Sequence, residues 1–293
     1  MARSKVKLLV LILSFEKGAH AEIQKLGQDQ TFIPEAVSNA TVLRYVGKEK
    51  KLPFRYRLIF IIRRWQYALL NYSNYWPIGF LLRSFTNTRF ADSAIRNIPY
   101  LNPTNTQELS TEEKAGKEPA KIVTDTPEDW SLIGLKTIIA FKHVLKNYEF
   151  DYLFRTNTSS YLDVPGLLRN IEGKPSKNLY AGVIGKVFGS LRFASGAGIL
   201  ISRDLIERIC EKESLWKHGL VDDIALADLI SNFEVPSVEL SPLPRLDLAT
   251  LVEAESTAPE IIKENFHFRC KSDSVEETVG IMRHIHKVKT SIS

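Results

Sequence analysis

The sequence predicts an α/β fold, one domain with a mostly parallel central sheet flanked by helices. Three observations predict it. Residues 150–155 alternate in the period of two that marks a strand, Phe150, Tyr152 and Phe154 against Asp151, Leu153 and Arg155. Strand-like and helix-like segments then alternate along the chain, the pattern of parallel strands joined by helices. The 293 residues, 44% hydrophobic and 25% charged, can bury one large core or two small ones and exclude a disordered or fibrous chain.

The elements follow in order. "MARSKVKLLVLILSFEKG" starts basic, but its apolar run from Leu8 to Leu13 is short and no small-residue cleavage site follows. It reads as a buried first strand over 6–13 rather than a signal peptide. No run approaches the roughly 20 apolar residues of a membrane span. A second strand is expected at 41–46. Residues 51–100 form a basic, aromatic insertion, expected to be helical. Within it, 51–91 hold seven basic side chains (Lys51, Arg55, Arg57, Arg63, Arg64, Arg83, Arg89) and no acid. The whole chain carries +5, so removing this +7 leaves −2 for the remainder. The positive charge is therefore local, and the composition is not that of a nucleic-acid-binding protein. The stretch 54–85 mixes arginine with Phe, Tyr and Trp, as suits either an anionic membrane surface or a helical subdomain with aromatics packed inside.

A polar loop spans 102–120. After "KIVTD", Thr126 is a candidate helix cap with Pro127 at the first helical position and Glu128 and Asp129 in the first turn. Leu135, Ile138, Phe141 and Leu145 mark the buried face of that helix. The strand at 150–155 follows, running into Asn157, Thr158, Ser159 and Ser160. Asp163 caps a short helix that stops at Gly173. Strands are expected at 179–185 and 193–202, with Ser202 capping a helix over 203–212. A last helix at 221–233 has Asp222 and Asp223 in its first turn.

In an open α/β sheet, ligands bind beyond the carboxyl ends of the strands. The polar cluster 157–160 falls at such an end. "SGAG" (195–198) offers bare backbone for close approach, and "VDD" (221–223) offers carboxylates at a helix start. Each has a plainer reading: a strand-to-loop turn, tight packing, and helix-start acids. Cys210 and Cys270 are too few for a disulfide framework. His284 and His286 lack a carboxylate or cysteine partner nearby in sequence and read as surface residues. "NAT" (39–41), "NYS" (71–73) and "NTS" (157–159) match the glycosylation pattern by chance in a chain without a secretory signal.

"GLKT" (134–137), "RTNTSSY" (155–161), "FASGAGILIS" (193–202) and "VDDIALADLI" (221–230), in that order, resemble the core of the β1,3-galactosyltransferase and Fringe-like glycosyltransferases. The likeness covers roughly 120–233. It implies a GT-A-like, Rossmann-related domain that transfers sugar from a nucleotide sugar, with inversion, to a saccharide or lipid-linked saccharide hydroxyl. The family places a Lys-Thr-Asp-Asp-Asp motif where this chain has Arg155, Thr156, Asn157, Thr158 and Ser159. Its acidic triplet holds a divalent cation, and neutral oxygens would hold Mn²⁺ or Mg²⁺ poorly.

By the same resemblance Asp223 is the base, with Asp222 beside it, and the implied donor is a UDP-sugar. Ser14, Arg155, Asn157, Thr158, Ser159, Ser195, Gly196 and Gly198 are the expected donor-binding residues. The leaving diphosphate then needs protein cations, and His267, Arg269 and Lys271, alternating in "NFHFRCKSD" (265–273), form a candidate clamp, or else a solvated strand face. If any residue binds a metal, His267 is the candidate. Two other classes stand beside the enzyme: a non-catalytic nucleotide- or glycan-binding protein derived from a transferase, favoured by the neutral triplet, and a membrane-surface adaptor acting through 54–85. Because the family's eukaryotic members usually carry a membrane anchor and no span-length apolar run is read here, the expectation is a bacterial or viral cytosolic protein, with peripheral attachment to a membrane's inner face as an option.

Overall fold

Six consecutive apolar residues, Leu8–Leu13, form the central strand β1, and all six are buried. A strand can be apolar on both faces only if both are covered. Leu8, Val10 and Ile12 enter one core, while Leu9, Leu11 and Leu13 enter another on the opposite face. A computed structural model of the chain describes residues 6–48, 118–187, 190–233 and 238–291, the pair 111–112, and positions 54, 57, 58 and 61. The insertion at 51–100 and its segment 54–85 otherwise lie outside the described residues. Phe54, Leu58 and Ile61 are exposed.

After β1 come α1 (Ala19–Ile23), a π-turn to Gln28, α2 (Ile33–Asn39) and β2 (Thr41–Lys48). The polar loop contains a two-residue strand, β3 (Thr111–Glu112), antiparallel to β4 (Ala120–Pro127). Then follow α3 (Ile133–Asn147), β5 (Tyr152–Asn157), β6 (Ser160–Leu162), α4 (Val164–Ile171), β7 (Tyr180–Val187) and β8 (Leu191–Ser202). The remainder is α5 (Arg203–Glu211), α6 (Asp222–Ser231), β9 (Leu240–Pro242), β10 (Leu246–Leu248), α7 (Leu251–Ser256), α8 (Pro259–Glu264), β11 (His267–Cys270) and α9 (Val275–Thr290).

The main sheet has the order β3-β4-β2-β1-β5-β8-β7-β9. β1 lies parallel to both β2 and β5, with Leu13 opposite Tyr45 on one side and Asn157 on the other. Connections leave β1 outward to β2 and β4, then return through α3 to β5. The sheet therefore reverses its order between β1 and β5, the topological switch point beyond whose carboxyl ends open α/β sheets have their ligand crevice. β8 runs antiparallel to β5 and β7, so the sheet is mainly parallel but mixed. A small second sheet, β10-β11-β6, contributes to one core together with α2, α4 and α9; α3, α5 and α6 fill the other. Among the described residues, no helix is long and apolar enough to cross a membrane.

One expected helix start and one expected cap bond are corrected; the helix from Arg203 begins where expected. Thr126 and Pro127 end strand β4 instead of opening a helix, and Asp129 caps a 3₁₀ turn at Trp130–Leu132 by accepting from Ser131 N at 2.9 Å. The strand persists because β2 pairs with it, and Thr124 and Thr126 direct their hydroxyls to Val46 O and to each other. Ser202 makes no cap; its hydroxyl accepts from Leu179 N, stitching β8 to the start of β7. Asp163 does cap α4, accepting from Gly166 N at 2.9 Å.

Candidate functional site

A buried arginine organises the carboxyl end of β5. Arg155 is 2% exposed, and an isolated guanidinium at that depth would be costly. Asp222, the first residue of α6, forms an ion pair with it. Arg155 Nε also donates to the Tyr45 hydroxyl at 3.0 Å, which lies 3.1 Å from Thr137 Oγ1. Burial opposes the charge, but Asp222, then Tyr45 and Asp223, outweigh it and raise the arginine's pKa. The arginine of "RTNTSSY", the threonine of "GLKT" and the first acid of "VDD" thus meet through Tyr45.

Asp223 is turned to a different partner. Its Oδ2 accepts from Gly196 N and its Oδ1 from Ile224 N, both at 2.9 Å. Burial first, then the neighbouring Asp222, pushes its carboxyl above the usual aspartate range, while those two N–H groups and Arg155 oppose the rise. Gly196 packs closely on both groups, since a Cβ there would lie 3.0 Å from Arg155 Nη1 and 3.3 Å from Asp223 Oδ2 and would press on each.

The turn after β5 is organised internally. Asn157 Oδ1 accepts from Ser159 N, Ser159 Oγ and Ser160 Oγ at 3.0–3.1 Å. Gln28 Nε2 braces it from below, at 3.0 Å from both Asn157 O and Ser160 O. Thr158 Oγ1 lies 2.9 Å from His20 Nδ1. Asn157 Oδ1 already accepts three hydrogen bonds and Thr158 is engaged, so neither offers a free oxygen to a hard cation.

The three residues of the expected clamp separate. His267 is 1% exposed, its ring against Phe154 and its Nε2 3.2 Å from Ala197 O, where a carbonyl can only accept a hydrogen. Burial, and secondarily Arg245, lowers its pKa to about 3. It is a neutral core histidine and does not reach the crevice. Arg269 is half-buried opposite Ser160 and Asp247. Lys271 is exposed, and its charge adds to burial in lowering the pKa of His20. Lys271 therefore stands as the cationic candidate near the ends of β1 and β5, with His20 beside it and held toward its neutral form.

Gly198 serves packing, because a Cβ there would fall 2.1 Å from His267 Cε1. Ser195 Oγ accepts from Arg245 Nη1 at 3.0 Å. Ser14 is fully buried, its N–H on Tyr45 O and its hydroxyl turned back to Ile12 O.

The sequence matches no known protein-family model and no curated protein sequence.

Several site residues carry weak signals in the sequence. Lys136 of "GLKT" is 0% exposed, pairs with Glu128 and lies 5.2 Å from the Phe15 ring centre. Burial lowers its pKa while Glu128 raises it back in part. A lysine beside Leu135 on the helix is the sequence's hint of it. Phe15, His20 and Trp130 form a ring cluster with centroids 4.9–5.2 Å apart, drawn from two distant segments, and Trp130 remains 53% exposed. Beside it, Trp130 and the 218–222 turn enclose a cavity of about 110 Å³ that reaches Asp222.

Proposed function

We propose that this chain is an inverting glycosyltransferase of GT-A-like architecture, moving sugar from a nucleotide sugar, a UDP-sugar on the resemblance of its motifs, to a saccharide or lipid-linked saccharide hydroxyl. The observation that carries the reading is Asp223, a half-buried carboxylate of raised pKa held on Gly196 N beside Arg155 of β5. A general base works best when its pKa moves toward the operating pH, and burial beside Asp222 moves it that way.

In the proposed reaction the acceptor O–H gives its proton to Asp223 as its oxygen bonds to the anomeric carbon. The bond from that carbon to the phosphate oxygen breaks, and the nucleoside diphosphate departs with the electron pair. Lys271 and His20 supply the positive charge that it requires, His20 in its protonated form. A phosphate bound there would raise the lowered His20 pKa and favour that form. Arg155, locked to Asp222, positions the two acids and does not touch the donor. No step runs through a metal ion.

The decisive test is release of free nucleotide from UDP-, GDP- and dTDP-sugars by the wild type and Asp223→Asn, each with Mn²⁺ and with EDTA. The expected result is turnover that survives EDTA and falls by about 10²-fold or more in the variant. Turnover abolished by EDTA would refute the metal-free route. The closed Asn157 turn favours one other reading, a non-catalytic nucleotide- or glycan-binding protein; nucleotide binding without turnover in any acceptor mixture would select it.

A further inference from the structure

We infer that the cavity beside Asp222 is the subsite for the terminal sugar of the acceptor, an inference that rests on the transfer reading above. Its wall combines apolar surface, the exposed Trp130 ring and Val221, with polar groups of Ser131, His218 and Asp222. A pyranose has the matching character, a face of C–H bonds bordered by hydroxyls, and aromatic walls with a few placed polar groups are how small-molecule sites recognise such ligands.

Charge decides against the donor. The cavity is lined by no lysine or arginine, so it offers a diphosphate no cation and suits a neutral polyol. Ser131 and His218 supply the polar groups of the lining: a hydroxyl both donates and accepts, and an imidazole nitrogen does one or the other by tautomer, so both suit sugar hydroxyls. Asp222 Oδ2 is enclosed and committed to Arg155. At about 110 Å³ the space admits the edge of one sugar ring rather than an oligosaccharide. Asp222 lines the cavity and Asp223 is its neighbour in the first turn of α6, which puts the subsite within one residue of the proposed base.

The test is saturation-transfer NMR with methyl glucoside, galactoside, mannoside and N-acetylglucosaminide at millimolar concentration, with UDP binding followed by calorimetry on the same samples. The proteins are the wild type, Trp130→Ala and Val221→Trp; Val221 is 45% exposed, so its replacement narrows the mouth without disturbing the core. Supporting results are binding of at least one glycoside that weakens about tenfold or more in both variants, with UDP affinity unchanged in Val221→Trp. No saturation transfer to any glycoside in the wild type, with or without UDP, overturns the inference. So does glycoside binding that both variants leave unchanged, which would place the acceptor elsewhere and leave the transfer reading intact. Glycoside binding abolished by both substitutions, in a protein whose wild type binds no UDP, would sink the transfer reading and keep the subsite as a glycan-binding one.

Discussion

Adjacent aspartates at the start of α6 have been given opposite tasks by their partners. Asp222 is neutralised by a buried guanidinium, whereas Asp223 accepts from backbone N–H groups and keeps an elevated pKa. Turnover should rise with pH through an apparent value above the ordinary aspartate value of about 3.9. Replacing Asp222 by Asn removes the like charge and frees Arg155 beside the base, so the acid limb should move to lower pH. The same change strands a buried cation, and chemical denaturation should register a loss of about 3–5 kcal/mol. A limb that stays in place in Asp222→Asn would mean that Asp223 is not the titrating group. His267 makes a separate prediction. Its folded pKa is depressed to about 3, so its contribution to stability is complete above the unfolded histidine pKa and is lost as the pH falls below it. By pH 4 the loss should be on the order of 3 kcal/mol, and His267→Gln should flatten that part of the profile if the variant folds.

At the scale of elements, the turn after β5 and the glycines of β8 can be tested as packing devices. Asn157→Ala orphans three donors and should cost about 2 kcal/mol, whereas Asn157→Asp, still an acceptor, should be near neutral. Equal stabilities with lost nucleotide binding in Asn157→Ala would instead make Asn157 a ligand contact. Gly198→Ala should lower the thermal midpoint by the equivalent of about 1–3 kcal/mol, and shortening His267 to Ala in the same chain should recover part of it. These elements also mark where the sequence is legible. The alternation of 150–155, the apolar run of β1 and the acids opening α6 follow from local pattern, and the structure has all three. Thr126 followed by proline has the local look of a helix start, but the strand that claims this segment is distant in the chain, with Thr124 bonded to Val46 across 78 residues. His267 and Lys271 alternate with core residues, and alternation cannot say which of two faces is covered; β6 and α9 decide it.

For the whole molecule, both faces of the central sheet depend on segments far along the chain. α9 contributes Ile281, Met282 and Ile285 to the same core as Val10 and Ile12 of β1. A chain ending at residue 264 lacks β11 and α9, and its thermal unfolding should lose cooperativity, with apolar dye binding at temperatures where the full chain binds none. Retained sharp unfolding would show that α9 only decorates a finished domain. What is least legible in the sequence belongs to this scale: Lys136, Phe15, His20 and Trp130 converge only through the sheet order, and no spacing rule links residue 20 to residue 130.

The carbonyl of Ala197 receives side chains from three strands, Thr156 of β5, Ser160 of β6 and His267 of β11, so it joins the large sheet to the small one. During synthesis this oxygen leaves the ribosome well before the histidine that completes its surroundings. On the proposed reading the crevice acquires Lys271 only after that closure, so an interrupted translation product would have strands β1 and β5 and His20 but lack the lysine proposed to meet the leaving group. Premature termination would then yield a fragment with an unfinished donor site.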